Sequence, residues 1–177
     1  MKKALLLVLG IFVFVSACKE VDKLTQFSIN IDSSSTIPAT LGINIPINIW
    51  TPDITTNSET EFESNNTNKD LVEHIKLTDL DIEITSPASS TFDFLKDIEI
   101  YISAEGLSEK KVAWLYDIPK TGLKAIKLET GDDDLQEYIK KDQVKLKTKT
   151  VTREIISNDT DISIHAKFWV DARILGV

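Results

Sequence analysis

Ile162-Ser163-Ile164-His165-Ala166-Lys167-Phe168-Trp169-Val170-Asp171-Ala172 is the stretch that decides the fold. Apolar and polar residues alternate along all of it, the pattern of a strand with one buried face. Ile162, Ile164, Ala166, Phe168, Val170 and Ala172 are expected to face a core. Ser163, His165, Lys167, Trp169 and Asp171 face away from it. Outward from this stretch the same period recurs. Phe27, Ile29 and Ile31 carry it near the start of the chain. Leu41, Ile43, Ile45, Ile47 and Ile49 repeat it, with Gly42, Asn44, Pro46 and Asn48 on the opposite side. Pro46 has no N–H to give a ladder, which puts its strand at an edge or on a bulge.

Further strands follow from the same rule. Ile75 and Leu77 hold one phase and Leu80, Ile82 and Ile84 the other, so an extra residue is expected near Thr78-Asp79. Ile98, Ile100, Ile102 and Ala104 mark a strand closed by a Glu105-Gly106 turn. Val112, Trp114 and Tyr116 mark the next, stopped by Pro119, with Trp50 and Trp114 read as core or core-edge residues. Leu123 to Leu128 and Val144 to Ile156 are weaker candidates. Thr91 to Leu95 reads as a helical connector that plugs the core with Phe92, Phe94 and Leu95. Residues 51–69 are polar around Phe62 and read as a long loop, with room for a short strand at that residue. Asp132-Asp133-Asp134 opens a helix near 133–140, with Leu135, Tyr138 and Ile139 on one face.

About eight strands and one short helix predict a mainly β protein. The architecture expected is an antiparallel β-sandwich of Ig-like or Greek-key type, one domain over 27–177. The arrangement is similar, at the level of fold alone, to the LEA-2-like water-stress sandwich domains, and such a likeness implies no function.

The amino terminus predicts an address. Lys2 and Lys3 precede an apolar run from Ala4 to Val15, the layout of a secretory signal helix over 1–17. The run is shorter than the roughly 20 residues a membrane span needs. Val15-Ser16-Ala17-Cys18 resembles the lipobox of bacterial lipoproteins. The resemblance implies cleavage between Ala17 and Cys18, a diacylglyceryl group on the Cys18 thiol and an acyl chain on its new amine. Multiple chains anchor stably where one does not. Residues 18–26 then form a tether. Lys19-Glu20-Val21-Asp22 resembles the Lys-then-acidic signal of surface-exported lipoproteins. The tether spans at most about 30 Å at roughly 3.3–3.6 Å per residue, which holds the domain close to the outer membrane. Whether it faces outward or into the periplasm stays open.

Composition removes several chemistries. Cys18 is the one cysteine, so the mature domain has no disulfide and no cysteine nucleophile. Net charge is −8, from 20 basic against 28 acidic residues, which repels nucleic acid. Two separated histidines, His74 and His165, do not make a metal cluster. Asp132-Asp133-Asp134 lacks the spaced ligand pattern of a calcium loop and reads as a helix cap. No catalytic residues, metal ligands or cofactor are expected beyond the lipid on Cys18. A hydrolytic Ser–His–Asp reading lacks a G-x-S-x-G elbow. The function expected is a non-enzymatic binding or structural module of the cell envelope, partnered by the membrane and by an envelope protein or glycan. The alternative is a surface-exposed glycan-binding accessory protein or adhesin. It would use Trp169, flanked by His165 and Lys167, since an outward indole can stack on a sugar ring or seat a protein.

Overall fold

The computed structural model describes residues 25–39, 43–44 and 46–173. The leader, Cys18, most of the tether, Leu41 and Ile45 lie outside the described residues. The chain is an antiparallel β-sandwich. One sheet has four strands in the order β1-β10-β4-β7. They are Gln26–Ile37, Thr160–Ala172, Val72–Ser86 and Ala125–Lys127 respectively. The other sheet runs β2-β9-β5-β6-β8, with β3 added on β9. These strands are Pro46–Trp50, Gln143–Thr152, Leu95–Ser103, Lys110–Leu115 and Glu129–Thr130, with β3 at Ile54–Thr55. Among the described residues ten strands form where about eight were expected. The extra ones are the two-residue pairings β3 and β8, too short to show a period.

The stretch 162–172 lies in β10, at the centre of the smaller sheet. It pairs with β1 from Gln26↔Asp171 to Ile37↔Thr160. On its other side it pairs with β4. Across β4 the ladder runs Lys167↔Asp79 and then Phe168↔Leu77, which leaves Thr78 as the extra residue. That bulge lets Ile75 and Leu77 share the core with Leu80 and Ile82 despite their opposite phases. Ile164, Phe168 and Val170 from this sheet meet Ile98, Ile100 and Ile102 from the other, all buried. Full burial of one such side chain stabilises by about 1.5–3 kcal/mol. β2 forms the edge its proline predicts, beginning at Pro46.

The ends are closed by side chains from connections. A 3-10 turn at Phe92–Phe94 sinks Phe92, Phe94 and Leu95 into the core, as expected. The segment 51–69 differs from its reading as a loop. After β3 it forms α1, Ser58–Ser64, in which Phe62 is fully buried and packs edge-on against Phe27 at 6.3 Å. Thr56, also buried, donates from Oγ1 to the Lys141 carbonyl at 2.7 Å and from its N–H to Asp142. The helix expected near 133–140 is α2, one turn at Gln136–Ile139, with Leu135, Tyr138 and Ile139 buried. Asp134 accepts from the N–H groups of Ile75 and Gln136, both at 3.1 Å. Within the acidic run, Asp134 reaches the first helical N–H from the position before the N-cap residue, Leu135, while Asp133 pairs with Lys110. Among the described residues no helix is long and apolar enough to cross a membrane.

β9 carries a local conflict. Its inner face begins with Val144 and Leu146 and continues with Thr148 and Thr150, both buried. The hydroxyls of Thr148 and Thr150, like that of Ser33 on β1, have no hydrogen-bond partner among the described residues. A buried hydroxyl without a partner is unfavourable, and a methyl in its place removes that cost. Thr150→Val is expected to raise stability by about 1 kcal/mol, read as a higher urea midpoint with an unchanged slope. A lower midpoint would show that the hydroxyl is hydrogen-bonded.

Candidate binding face

The outer face of the larger sheet carries four aromatic side chains. Trp50 follows Ile49 in β2. The alternation that turns Ile47 and Ile49 inward turns the indole out, leaving it 47 % exposed. Across the sheet, Trp50 pairs with Lys147 on β9, Lys147 with Tyr101 on β5, and Tyr101 with Lys111 on β6. The next row runs Asn48, Lys149, Glu99, Trp114 and Glu129. Tyr116 stands just beyond β6 and is exposed.

A bulge brings Trp114 to this face. Ala113 pairs with Ile100 and Lys111 with Tyr101, so Val112 is the extra residue in β6. Val112 and Ala113 are both buried, and the phase of everything after them is reversed. Trp50 and Trp114, read from sequence as core or core-edge, both point outward, Trp50 exposed and Trp114 half-buried. Alternation alone could have placed Trp50. The bulge that moves Trp114 leaves no mark in the sequence.

The cluster is bound together electrostatically. Glu99 accepts from the Tyr116 hydroxyl at 2.6 Å and from the Tyr101 hydroxyl at 3.0 Å. The ammonium groups of Lys149 and Lys111 lie 3.4 and 3.5 Å from its oxygens. The Tyr116 hydroxyl does most to hold the Glu99 carboxyl down at about 2. Burial opposes the shift, while Tyr101 and Lys149 add to it. Lys111 Nζ lies 5.1 Å from the Trp114 ring centre and 5.9 Å from that of Tyr116. Lys147 Nζ bridges Trp50 and Tyr101 in the same way, at 5.3 and 5.6 Å, and donates to Glu109 at 2.8 Å. Such exposed cation–π contacts are worth about 0.5–1 kcal/mol each. Trp114 Nε1 donates to Glu129 at 2.9 Å. The result is a row of rings fixed in orientation, alternating with donors and acceptors.

The residues singled out from sequence lie on the other sheet. Trp169, His165 and Lys167 share the outer face of β10, as alternation predicts. The indole of Trp169 is half-buried, beside Ser28 and Lys76 in the ladder. His165 Nδ1 lies 2.8 Å from Asp32 Oδ1. A shallow depression there takes in His165, Lys167, Asp32, Asp79 and Asp81, but not Trp169. Asp79 is ion-paired to Lys127, and that pairing holds its carboxyl below the usual range. His74 Nδ1 meets Asp134 at 2.8 Å, about 20 Å from His165 by strand rise. The two His–Asp pairs are thus not brought together. Among the described residues no group of three His, Cys, Asp or Glu side chains is placed to hold a metal ion. A cleft of about 780 Å³ lies by Asp53, Asp142 and Lys145, where Lys145 pairs with Asp53 and Lys69 with Asp142. No aromatic ring lines it.

No family model matches the chain, and no curated protein matches it in sequence. Solved structures resemble it distantly. One of Desmodium yellow mottle tymovirus is 10 % identical over 86 % of this chain and 91 % of that one, with a TM-score of 0.30. One of the empty head of Turnip Yellow Mosaic Virus is 10 % identical over 84 % and 82 %, with a TM-score of 0.29. A structure of carbohydrate-binding modules from the β-sandwich superfamily is 12 % identical over 84 % of this chain and 55 % of that one, with a TM-score of 0.29. At these values the likenesses carry no functional argument.

Proposed function

We propose that this protein is a lipid-anchored, non-enzymatic binding module of the bacterial cell envelope, held close to the outer membrane by acylated Cys18. The observation that carries the binding half is the aromatic row Trp50, Tyr101, Trp114 and Tyr116 on one sheet face. Exposed tryptophan costs solubility without helping the core. Here two lysines and two glutamates hold the rings in place, and groups ordered before binding lose less entropy when a ligand arrives. The anchoring half rests on Val15-Ser16-Ala17-Cys18.

Fractionation with Cys18→Ala tests the anchor. The wild type is expected in the outer-membrane fraction and the variant in soluble fractions or as uncleaved precursor. Equal membrane retention of both would sink the lipid reading. Protease added to intact cells then separates the two orientations. Digestion puts the module on the surface, and protection until the outer membrane is opened puts it in the periplasm.

A further inference from the structure

We infer that the ligand of this face is a neutral, unbranched carbohydrate chain lying across β2, β9, β5 and β6, an inference that rests on the binding-module reading above. Adjacent strands are about 4.7–4.9 Å apart. Trp50 and Tyr101, separated by β9, therefore lie about 10 Å apart, roughly the length of a disaccharide, with Trp114 one strand further on. A sugar ring is amphipathic: its faces present C–H groups that pack on aromatic rings, and its edge presents hydroxyls that both donate and accept. The platform matches both parts. Glu99 offers acceptors between the rings and Glu129 beyond Trp114, and Lys147, Lys149 and Asn48 offer donors.

Charge selects the neutral class. Around the rings Lys111, Lys147 and Lys149 are matched by Glu99, Glu109 and Glu129, largely in direct pairs. No net charge is left to fit a polyelectrolyte. A polyanion also meets the repulsion of a chain with net charge −8.

The test uses the acylated full chain in detergent micelles, titrated with cellohexaose, xylohexaose, mannohexaose and maltohexaose, and with an oligogalacturonate as anionic probe. Binding is followed by tryptophan fluorescence and calorimetry. At least one neutral probe is expected to bind. Trp50→Ala is expected to weaken it at least tenfold while Trp169→Ala, on the other sheet, leaves it unchanged. Trp50→Phe, which keeps a ring, is expected to retain most of the affinity, and an unshifted melting temperature in each variant separates lost contact from lost fold. Silence from every neutral probe, or binding indifferent to Trp50, overturns the inference. Preference for the oligogalacturonate overturns the neutral ligand class while leaving the binding face in place. The Cys18→Ala fractionation is independent of all these outcomes, so failure of the ligand class and failure of the anchored-module reading are told apart.

Discussion

Phe62→Ala is expected to lower the stability of the domain by about 3–5 kcal/mol, the usual cost of removing a fully buried phenylalanine. Phe62 is the residue by which α1 reaches the core, with no solvent exposure and an edge-on contact with Phe27. The helix has seven residues, Ser58–Ser64. A helix that short does not persist in water without tertiary packing. Its N-cap is weak: Asn57 sits in the left-handed region at φ 50 and makes no capping side-chain bond. Loss of the ring therefore removes more than its own buried surface. Thr56 and Thr67 still tie the segment to Lys141, Asp142 and Arg173. Urea unfolding reads the global cost, and hydrogen exchange at the amides of 58–67 reads the local one. A global change below about 1 kcal/mol with fast exchange in α1 would mean that the helix opens independently of the sandwich, and the estimate would be wrong.

The same residue marks a limit of sequence reading. Phe62 stands alone among Thr, Asn, Ser and Glu, and one apolar residue has no period, so neither helix nor strand could be assigned from pattern. By contrast the long strands were legible in detail. Ile162 to Ala172 keeps its faces, and the opposed phases of Leu77 and Leu80 place an extra residue at Thr78-Asp79, where the ladder leaves Thr78 out. The connector at Phe92, Phe94 and Leu95 and the contact of Asp134 with the start of the helix were legible because each rests on local chemistry. The binding face was not. It is assembled from β2, β9, β5, β6 and β8, whose order in the sheet is not their order in the chain. Trp169 stands out because its strand alternates so regularly, and the strand of Trp50 makes the same statement over a shorter run. Trp114 was beyond reach because its phase depends on Val112.

Glu99 is expected to give the acid limb of the stability curve an identifiable component. Its carboxyl is held at about 2, below the ordinary 4.5, first by the Tyr116 hydroxyl and then by Tyr101 and Lys149, against the opposing effect of burial. A carboxyl whose folded value is depressed stabilises the fold while it is ionised in both states, that is above 4.5. As pH falls from there towards about 2 the unfolded chain takes up a proton that the folded one resists, and the contribution is lost across that window. Each unit is worth about 1.4 kcal/mol, and the partial exposure of the cluster trims the total to the order of 1–3 kcal/mol. Asp134, Asp79 and Asp142 are also held below their usual range, by His74 and backbone N–H groups, by Lys127 and by Lys69 respectively, so the wild-type slope is shared. Glu99→Gln isolates one share. An amide occupies the same space, but it cannot take up the proton and it loses the attraction of Lys111 and Lys149. The variant should be less stable by about 1–3 kcal/mol near neutral pH and converge on the wild type as pH approaches 2. Urea midpoints measured at four or so pH values across that window decide it. If the two curves run parallel throughout, the ordered ring of Tyr101, Tyr116 and lysines is not held by Glu99, and the platform loses the rigidity on which its role as a binding face depends.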